Sequence, residues 1–348
     1  MKLLLALAAL TTLGASPAAT RLPVHVGGRV IAEADGSMRF GWPGTYFEGR
    51  FRGTGVTVRL DAPAEYLRLL IDGEEKLILK RPGAAQFTLD GLPSGNHVAR
   101  LEKLTESQSG GGQFKGFFPT AGGQPLPVQA RARQIEFIGD SFTVGYGNTS
   151  PARTCPGTLV HDTTDTQQAF GPLVSRHFDA DYRVNAFSGF GVVRNYGGGS
   201  ADSSLPTIYP RLKPDDATHI ETSTGAWRPQ IIVINLGTND FSTPLKTGER
   251  WKSDIELKSA YRARYVQFVR DLQKSQPQAQ FVLMGSDLFI DQVRQVARQL
   301  AGVTTKPIIV LPFGGLEFSG CDYHPSVEDD RKLARLLQDQ IDRLNVWH

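Results

Sequence analysis

A serine acts as a nucleophile only when its hydroxyl is held in the open and a base lies within reach. Ser141 meets the first requirement in the run Ile135-Glu-Phe-Ile-Gly-Asp-Ser-Phe-Thr-Val-Gly-Tyr-Gly147. Four mostly apolar residues read as a buried strand, Gly139-Asp140-Ser141 breaks it, and Gly145 and Gly147 allow a tight turn beyond. A serine at the end of a parallel strand lies at the carboxyl edge of the sheet, where open α/β sheets place their sites. Two further apolar runs end in small or amide residues, in Asn185-Ala-Phe-Ser-Gly-Phe-Gly191 and in Ile231-Ile-Val-Ile-Asn-Leu-Gly-Thr-Asn-Asp240. A fourth segment, Cys321-Asp-Tyr-His-Pro325, places His324 just before a C-terminal helical pattern.

The elements that must hold these residues divide the chain into two halves of different rhythm. From 22 to 118 short alternating stretches, such as 38–42, 56–60, 66–72 and 98–102, are separated by Gly-rich turns. Many short strands at this spacing predict an all-β sandwich of the jelly-roll kind. Residues 119–132, rich in Pro and Gly at the start, read as a linker. From 133 onward apolar runs at 134–139, 183–186, 231–236, 281–284 and 307–311 alternate with helical patterns at 165–178, 253–275, 288–300 and 326–344. That alternation predicts an α/β domain with a parallel sheet flanked by helices. The expected organisation is residues 1–19 as a leader, 20–118 as the sandwich and 133–348 as the catalytic domain.

The four segments occur in the order Ser, Gly, Asn, His, and together they resemble the SGNH (GDSL-type) hydrolase superfamily. The β-rich half adds Gly41-Trp-Pro-Gly-Thr45, Phe51-Arg-Gly-Thr54, Gly95-Asn-His-Val98 and Gly116-Phe-Phe118. With Gly189-Phe-Gly-Val-Val-Arg-Asn-Tyr196, the pairing resembles carbohydrate esterase family two. The resemblance implies a serine esterase acting on acetylated polysaccharides or oligosaccharides such as xylan and glucomannan. It implies Ser141 as nucleophile, His324 as base, and the backbone of Ser141 and Gly189 with the Asn239 amide as the oxyanion hole. Gly191 is the rival to Gly189.

The superfamily commonly carries an acid three residues before the histidine, but here Cys321 stands there and Asp322 is one residue nearer. The expected orienter of His324 is Asp322, with a backbone carbonyl, such as that of Tyr323, as the alternative. Tyr146, Tyr323 and Trp227 are expected to bind substrate through their rings, and Trp251 is a further aromatic candidate. Asp140 and Asp240 read as structural. Cys155 and Cys321 are the two cysteines of the chain. If both loops line one site, their thiols pair in an oxidising compartment; two cysteines that never meet is the other reading.

Composition narrows the class. The chain has 348 residues with 40% hydrophobic and 21% charged side chains, ordinary for a globular protein of two domains. A net charge of +3 with no basic stripe gives no footprint for nucleic acid. Residues 1–19 pair Lys2 with a short apolar core and small residues, the pattern of a secretory signal peptide, and imply a secreted or periplasmic protein. The apolar core is too short for a membrane span, and no later segment is long enough. No Cys, His and carboxylate cluster has metal-ligand spacing, and Gly197-Gly-Gly199 lacks the lysine of a phosphate loop, so neither metal nor cofactor is expected. Two alternatives remain within reach of the same residues. One is a lipid or thioester esterase of the superfamily; the other is a carbohydrate-binding protein with an inactive hydrolase domain.

Overall fold

The computed structural model describes residues 20–222, 225 and 227–347, so the leader expected at 1–19 lies outside the described residues. The first half forms two antiparallel sheets. Its strands are β1 (Val24–Gly27), β2 (Val30–Ala32), β3 (Met38–Phe40), β4 (Tyr46–Gly53), β5 (Val56–Ala62), β6 (Tyr66–Ile71), β7 (Glu74–Lys80), β8 (Gly83–Leu89), β9 (Gly95–Lys103), β10 (Gly112–Pro119) and β11 (Gln124–Leu126). One sheet runs β1-β4-β9-β6-β7 and the other β2-β3-β10-β5-β8. Period-two alternation explains the packing: Val56, Val58, Leu60 and Ala62 of β5 point inward, and the residues between them do not. They meet Phe47, Phe51, Leu69 and Leu101 of the facing sheet in one apolar core. The segment expected to be a linker is partly built into this sandwich, because β11 pairs with β4 as an added edge strand. Backbone hydrogen bonds therefore hold 124–126, and Arg131 beyond them is tied to Asp181, Asp179 and Glu48.

The second half is a parallel sheet with helices on both faces. Its strands are β12 (Arg133–Gly139), β13 (Ala180–Ala186), β16 (Ile231–Asn235), β17 (Gln280–Ser286) and β18 (Ile309–Phe313), while β14 (Arg211–Lys213) and β15 (Asp216–Ile220) make a separate hairpin. Every residue of β16 is buried, as expected for a strand covered on both faces. The helices are α1 (Ser141–Val144), α2 (Leu159–Thr163), α3 (Phe170–His177), α4 (Leu205–Ile208), α5 (Thr238–Phe241), α6 (Asp254–Ser275), α7 (Ile290–Leu300) and α8 (Val327–Leu344). Side chains of α3 and α8 share one core with one face of the sheet, and those of α6 and α7 share the core on the other face.

The sheet order β13-β12-β16-β17-β18 reverses direction between β12 and β16. A crevice opens at the carboxyl edge of such a switch point. Ser141 follows β12, Gly189 follows β13 and Asn239 follows β16, so topology delivers all three to that crevice. The two halves are packed against each other: Trp42 and Tyr46 of the sandwich enter the two cores of the α/β domain.

Candidate active site

Ser141 opens α1, one turn of helix. The Asp140 carboxylate caps that turn by accepting the Phe142 N–H at 3.1 Å, and Gly145 closes it in a left-handed conformation. The first N–H groups of a helix have no partner within it, and the Ser141 N–H meets no acceptor among the described residues.

His324 reaches Ser141 from the far end of the chain. Its Nε2 lies 2.9 Å from Ser141 Oγ. The position is set by the start of α8, where Ser326 and Asp329 exchange side-chain and backbone hydrogen bonds in a capping box. The Val327 N–H also donates to Asn148 O at 3.0 Å, tying the start of α8 to the loop after Ser141.

The other ring nitrogen departs from the sequence-based expectation. His324 Nδ1 faces two main-chain oxygens, Cys321 O at 2.9 Å and Asp322 O at 3.2 Å. The Asp322 carboxylate does not orient the ring. It accepts a hydrogen bond from the Tyr146 hydroxyl at 3.0 Å. The reason is local backbone geometry: Asp322 and Tyr323 are both left-handed, with φ of 48° and 61°. Consecutive non-glycine residues in that region are costly. The turn curls 321–323 so that carbonyls face the ring and the Asp322 side chain leaves on another side.

Burial holds the His324 imidazole below its ordinary pKa, partly offset by the carbonyls of Cys321 and Asp322. Burial thus favours the neutral ring, with Nε2 free to accept when the carbonyls hold the proton on Nδ1. Tyr146 stacks on the imidazole at 4.2 Å between ring centroids. Burial and then the Asp322 carboxylate keep its phenol protonated beyond the usual range.

Cys155 and Cys321 form a disulfide. It joins the loop after Ser141 to the turn before His324. Gly147 lies against this bridge: a Cβ there would come within 2.3 Å of Cys321 Cβ, so only glycine permits the approach.

The remaining strand ends bring further hydrogen-bond donors to the site. Gly189 is left-handed at φ 82° and its N–H has no acceptor among the described residues. The N–H of Gly191, the rival, is occupied by Asn195 Oδ1 at 3.0 Å. Asn239 Nδ2 donates to Phe190 O at 2.9 Å, which fixes the amide plane and leaves its second N–H for another acceptor. Asp240 shapes the loop beside it by accepting the N–H groups of Val192, Val193 and Arg194 at 2.9, 2.9 and 3.0 Å. Burial pushes the carboxyls of Asp140 and Asp240 up to about 7 and about 6.

These groups line a cavity of about 410 Å³ that contains Ser141, His324, Gly189 and Asn239 together with Gln108 and Tyr196. Of the expected substrate-binding aromatics, Tyr146 lines it while backing the histidine. Tyr323 is 69% exposed under the Arg153 guanidinium and is not part of the cavity wall. Trp227 is a correction: it is buried at the start of β16, the end of the strand opposite Asn239, and its Nε1 donates to Glu136 at 3.1 Å. An indole with that burial and a carboxylate partner is core. Three lining residues, Gln108, Ser188 and Tyr196, were not singled out from sequence. Tyr196, 63% exposed, follows Gly189 by seven residues in a run already set apart by its resemblance. Gln108 belongs to the β-rich half, and nothing in its spacing links it to Ser141. The described residues hold no group of three or more His, Cys, Asp or Glu suited to a metal ion.

The chain matches two family descriptions, carbohydrate esterase 2 N-terminal over residues 26–128 and GDSL-like lipase/acylhydrolase over residues 135–346. It is 45% identical to an acetylxylan esterase / glucomannan deacetylase of Cellvibrio japonicus, covering 97% of this chain and 96% of that one. Among solved structures it resembles a carbohydrate esterase described as having divergent catalytic and non-catalytic binding functions in its active site. That protein is 43% identical with a TM-score of 0.89, covering 94% of this chain and 100% of that chain. It also resembles a family two carbohydrate esterase from Clostridium thermocellum in complex with cellohexaose, at 26% identity and a TM-score of 0.81, covering 93% of this chain and 100% of that chain.

Proposed function

The chain belongs to carbohydrate esterase family two, and from that premise we propose that it removes acetyl groups from plant polysaccharides, xylan and glucomannan, with Ser141 as nucleophile. The observation that carries this reading is the 2.9 Å contact between Ser141 Oγ and His324 Nε2, inside a cavity that also presents Gly189 and Asn239.

Oγ attacks the acetyl carbonyl carbon while Nε2 takes its proton. The carbonyl oxygen becomes an oxyanion and is met by the N–H groups of Ser141 and Gly189 and the free N–H of Asn239. The imidazolium gives its proton to the sugar oxygen, which leaves as an alcohol. Water then attacks the acetyl-serine as Nε2 accepts its proton; acetate departs and Oγ is reprotonated. Throughout, Nδ1–H donates to the carbonyls of Cys321 and Asp322, which hold the tautomer and stabilise the imidazolium. The exposed ring of Tyr196 offers an apolar face for the sugar at the cavity rim.

The protein acts outside the cytoplasm in this reading. Residues 1–19 direct export, and the Cys155–Cys321 bond suits an oxidising compartment. No helix among the described residues is long and apolar enough to cross a membrane.

The test is acetate release from acetylated xylan and acetylated glucomannan by the parent and by Ser141→Ala. Release by the parent and none by the variant is expected. Equal release by both sinks the serine mechanism, and release from neither polysaccharide sinks the substrate class.

A further inference from the structure

We infer that Gln108, carried by the β-rich half, is a positioning residue for the oxyanion hole of the α/β domain; the inference rests on the serine-esterase reading above. Gln108 sits in a 3-10 turn, Ser107–Ser109, between β9 and β10. Its Nε2 donates to Ser188 O at 2.9 Å. That carbonyl and the Gly189 N–H are the two ends of one peptide group. A trans peptide is planar, so its C=O and N–H point in opposite directions. A donor fixed on the oxygen therefore aims the N–H at the other side, into the cavity.

The peptide needs such a restraint. Gly189 has no side chain to resist rotation, and a Cβ built there would meet nothing within 4 Å. Sterics do not hold this peptide; hydrogen bonds do. The Tyr196 N–H pins the following carbonyl, Gly189 O, at 2.8 Å. Gln108 pins the preceding one. A hydrogen bond to a peptide oxygen also polarises the group and makes its N–H a stronger donor.

The turn that carries Gln108 is itself held. Ser107 Oγ donates to Ala186 O at 2.8 Å, and the half-buried Glu106 carboxyl accepts from Ser188 Oγ. Three consecutive residues of one half thus grip the 186–188 segment of the other. Behind them lies a fully buried ion pair: Lys103 Nζ donates to Glu65 at 2.6 Å and to Glu106 O at 2.7 Å. Glu65 in turn accepts from Ser109 Oγ and from the Gly111 N–H, both at 2.7 Å. A buried polar network satisfied in this way holds the turn rigid. On this account the sandwich sets the geometry of the catalytic step.

Gln108 also lines the cavity, so the rival role is direct contact with sugar. The two are separated with 4-nitrophenyl acetate, which brings the acetyl group without a sugar. In Gln108→Leu and Gln108→Glu, kcat on this ester should fall on the order of 10- to 100-fold with KM within about twofold, since the loss is confined to the transition state. Affinity for a boronic acid that forms a tetrahedral adduct on the serine should fall by a similar factor. Parent-level kcat in either variant overturns the inference, even if KM for acetylated xylan rises, which would mark a sugar contact. A loss of kcat matched by an equal loss of folded protein, read by circular dichroism and thermal melting, also overturns it. A parent without turnover on either ester overturns the esterase reading itself.

Discussion

The main-chain oxygen of Cys321 lies 2.9 Å from Nδ1 of His324, and Cys321 is bonded through its sulfur to Cys155. The residue whose carbonyl faces the His324 ring is therefore covalently tied to the loop that follows Ser141. Its N–H also donates to Gly147 O at 3.2 Å, so backbone and disulfide hold the same carbonyl. The bridge closes a separation of 166 residues.

Reduction of the bridge, or the double change Cys155→Ser with Cys321→Ser, should lower kcat more than it alters KM, because the ring loses orientation while the cavity persists. In the loop-entropy account a bridge of this span is worth up to about 5 kcal/mol, so the melting temperature should fall as well. Thiol titration of the denatured, unreduced protein should find no free thiol. Two reactive thiols per chain, or full kcat after reduction, would count against the bridge.

Asp322→Asn should cost little. Were the carboxylate the third member of a triad, the loss would approach roughly 10⁴-fold. Here it bonds to Tyr146 and not to the ring, so a loss of about tenfold or less is expected, in line with the removal of one exposed hydrogen bond. Tyr146→Phe should have a similar effect, and the pair should not be additive, since both remove one contact. Steady-state kinetics of the three variants decide the matter; a triad-sized loss in Asp322→Asn would restore the carboxylate to the mechanism.

The pH profile follows from the His324 environment. A base must be neutral, and burial holds this imidazole below its ordinary value of 6.5. Protonation, and with it loss of kcat/KM, should therefore set in only as pH falls below that value. The plateau should extend into mildly acid solution. In Asp322→Asn the acid limb should stay close to that of the parent. A limb above 6.5 would mean that the imidazolium is stabilised more than its burial allows.

Asn239→Ala should lower kcat by roughly 10²–10³-fold with little change in KM, the signature of a donor that acts on the transition state. Ser141→Ala should fold normally and lose turnover almost completely. An Asn239 variant altered in KM alone would place the amide on the ground-state substrate.

Much of this protein is legible in its sequence because the relevant signals are local. An apolar run such as 231–234, broken by Gly237, marks a buried parallel strand with Asn239 beyond its end. Alternation in 56–62 marks a sandwich strand. Where a chain leaves a parallel strand is decided by the strand itself, so Ser141, Gly189 and Asn239 could be assigned to one sheet edge from linear pattern. The spacing before His324 also announced an unusual arrangement there, and it kept a backbone carbonyl open as the orienter.

What the linear pattern did not settle depends on directions and on partners far along the chain. Whether Asp322 or a main-chain oxygen meets the imidazole is a matter of two left-handed dihedrals at 322 and 323, and side-chain identity does not encode them. Trp227 has the composition of a sugar platform but sits in the core, because burial depends on where the sheet places the start of β16. Gln108 is the clearest case. Its contact with Ser188 spans 80 positions and joins the two halves of the molecule. Only the docking of sandwich on sheet, led by Trp42 and Tyr46, brings that amide to the peptide that presents Gly189. Residue types and their order determined the chemistry available to this chain; tertiary packing decided which atoms aim at one another, because hydrogen bonds act over about 3 Å and in a preferred direction.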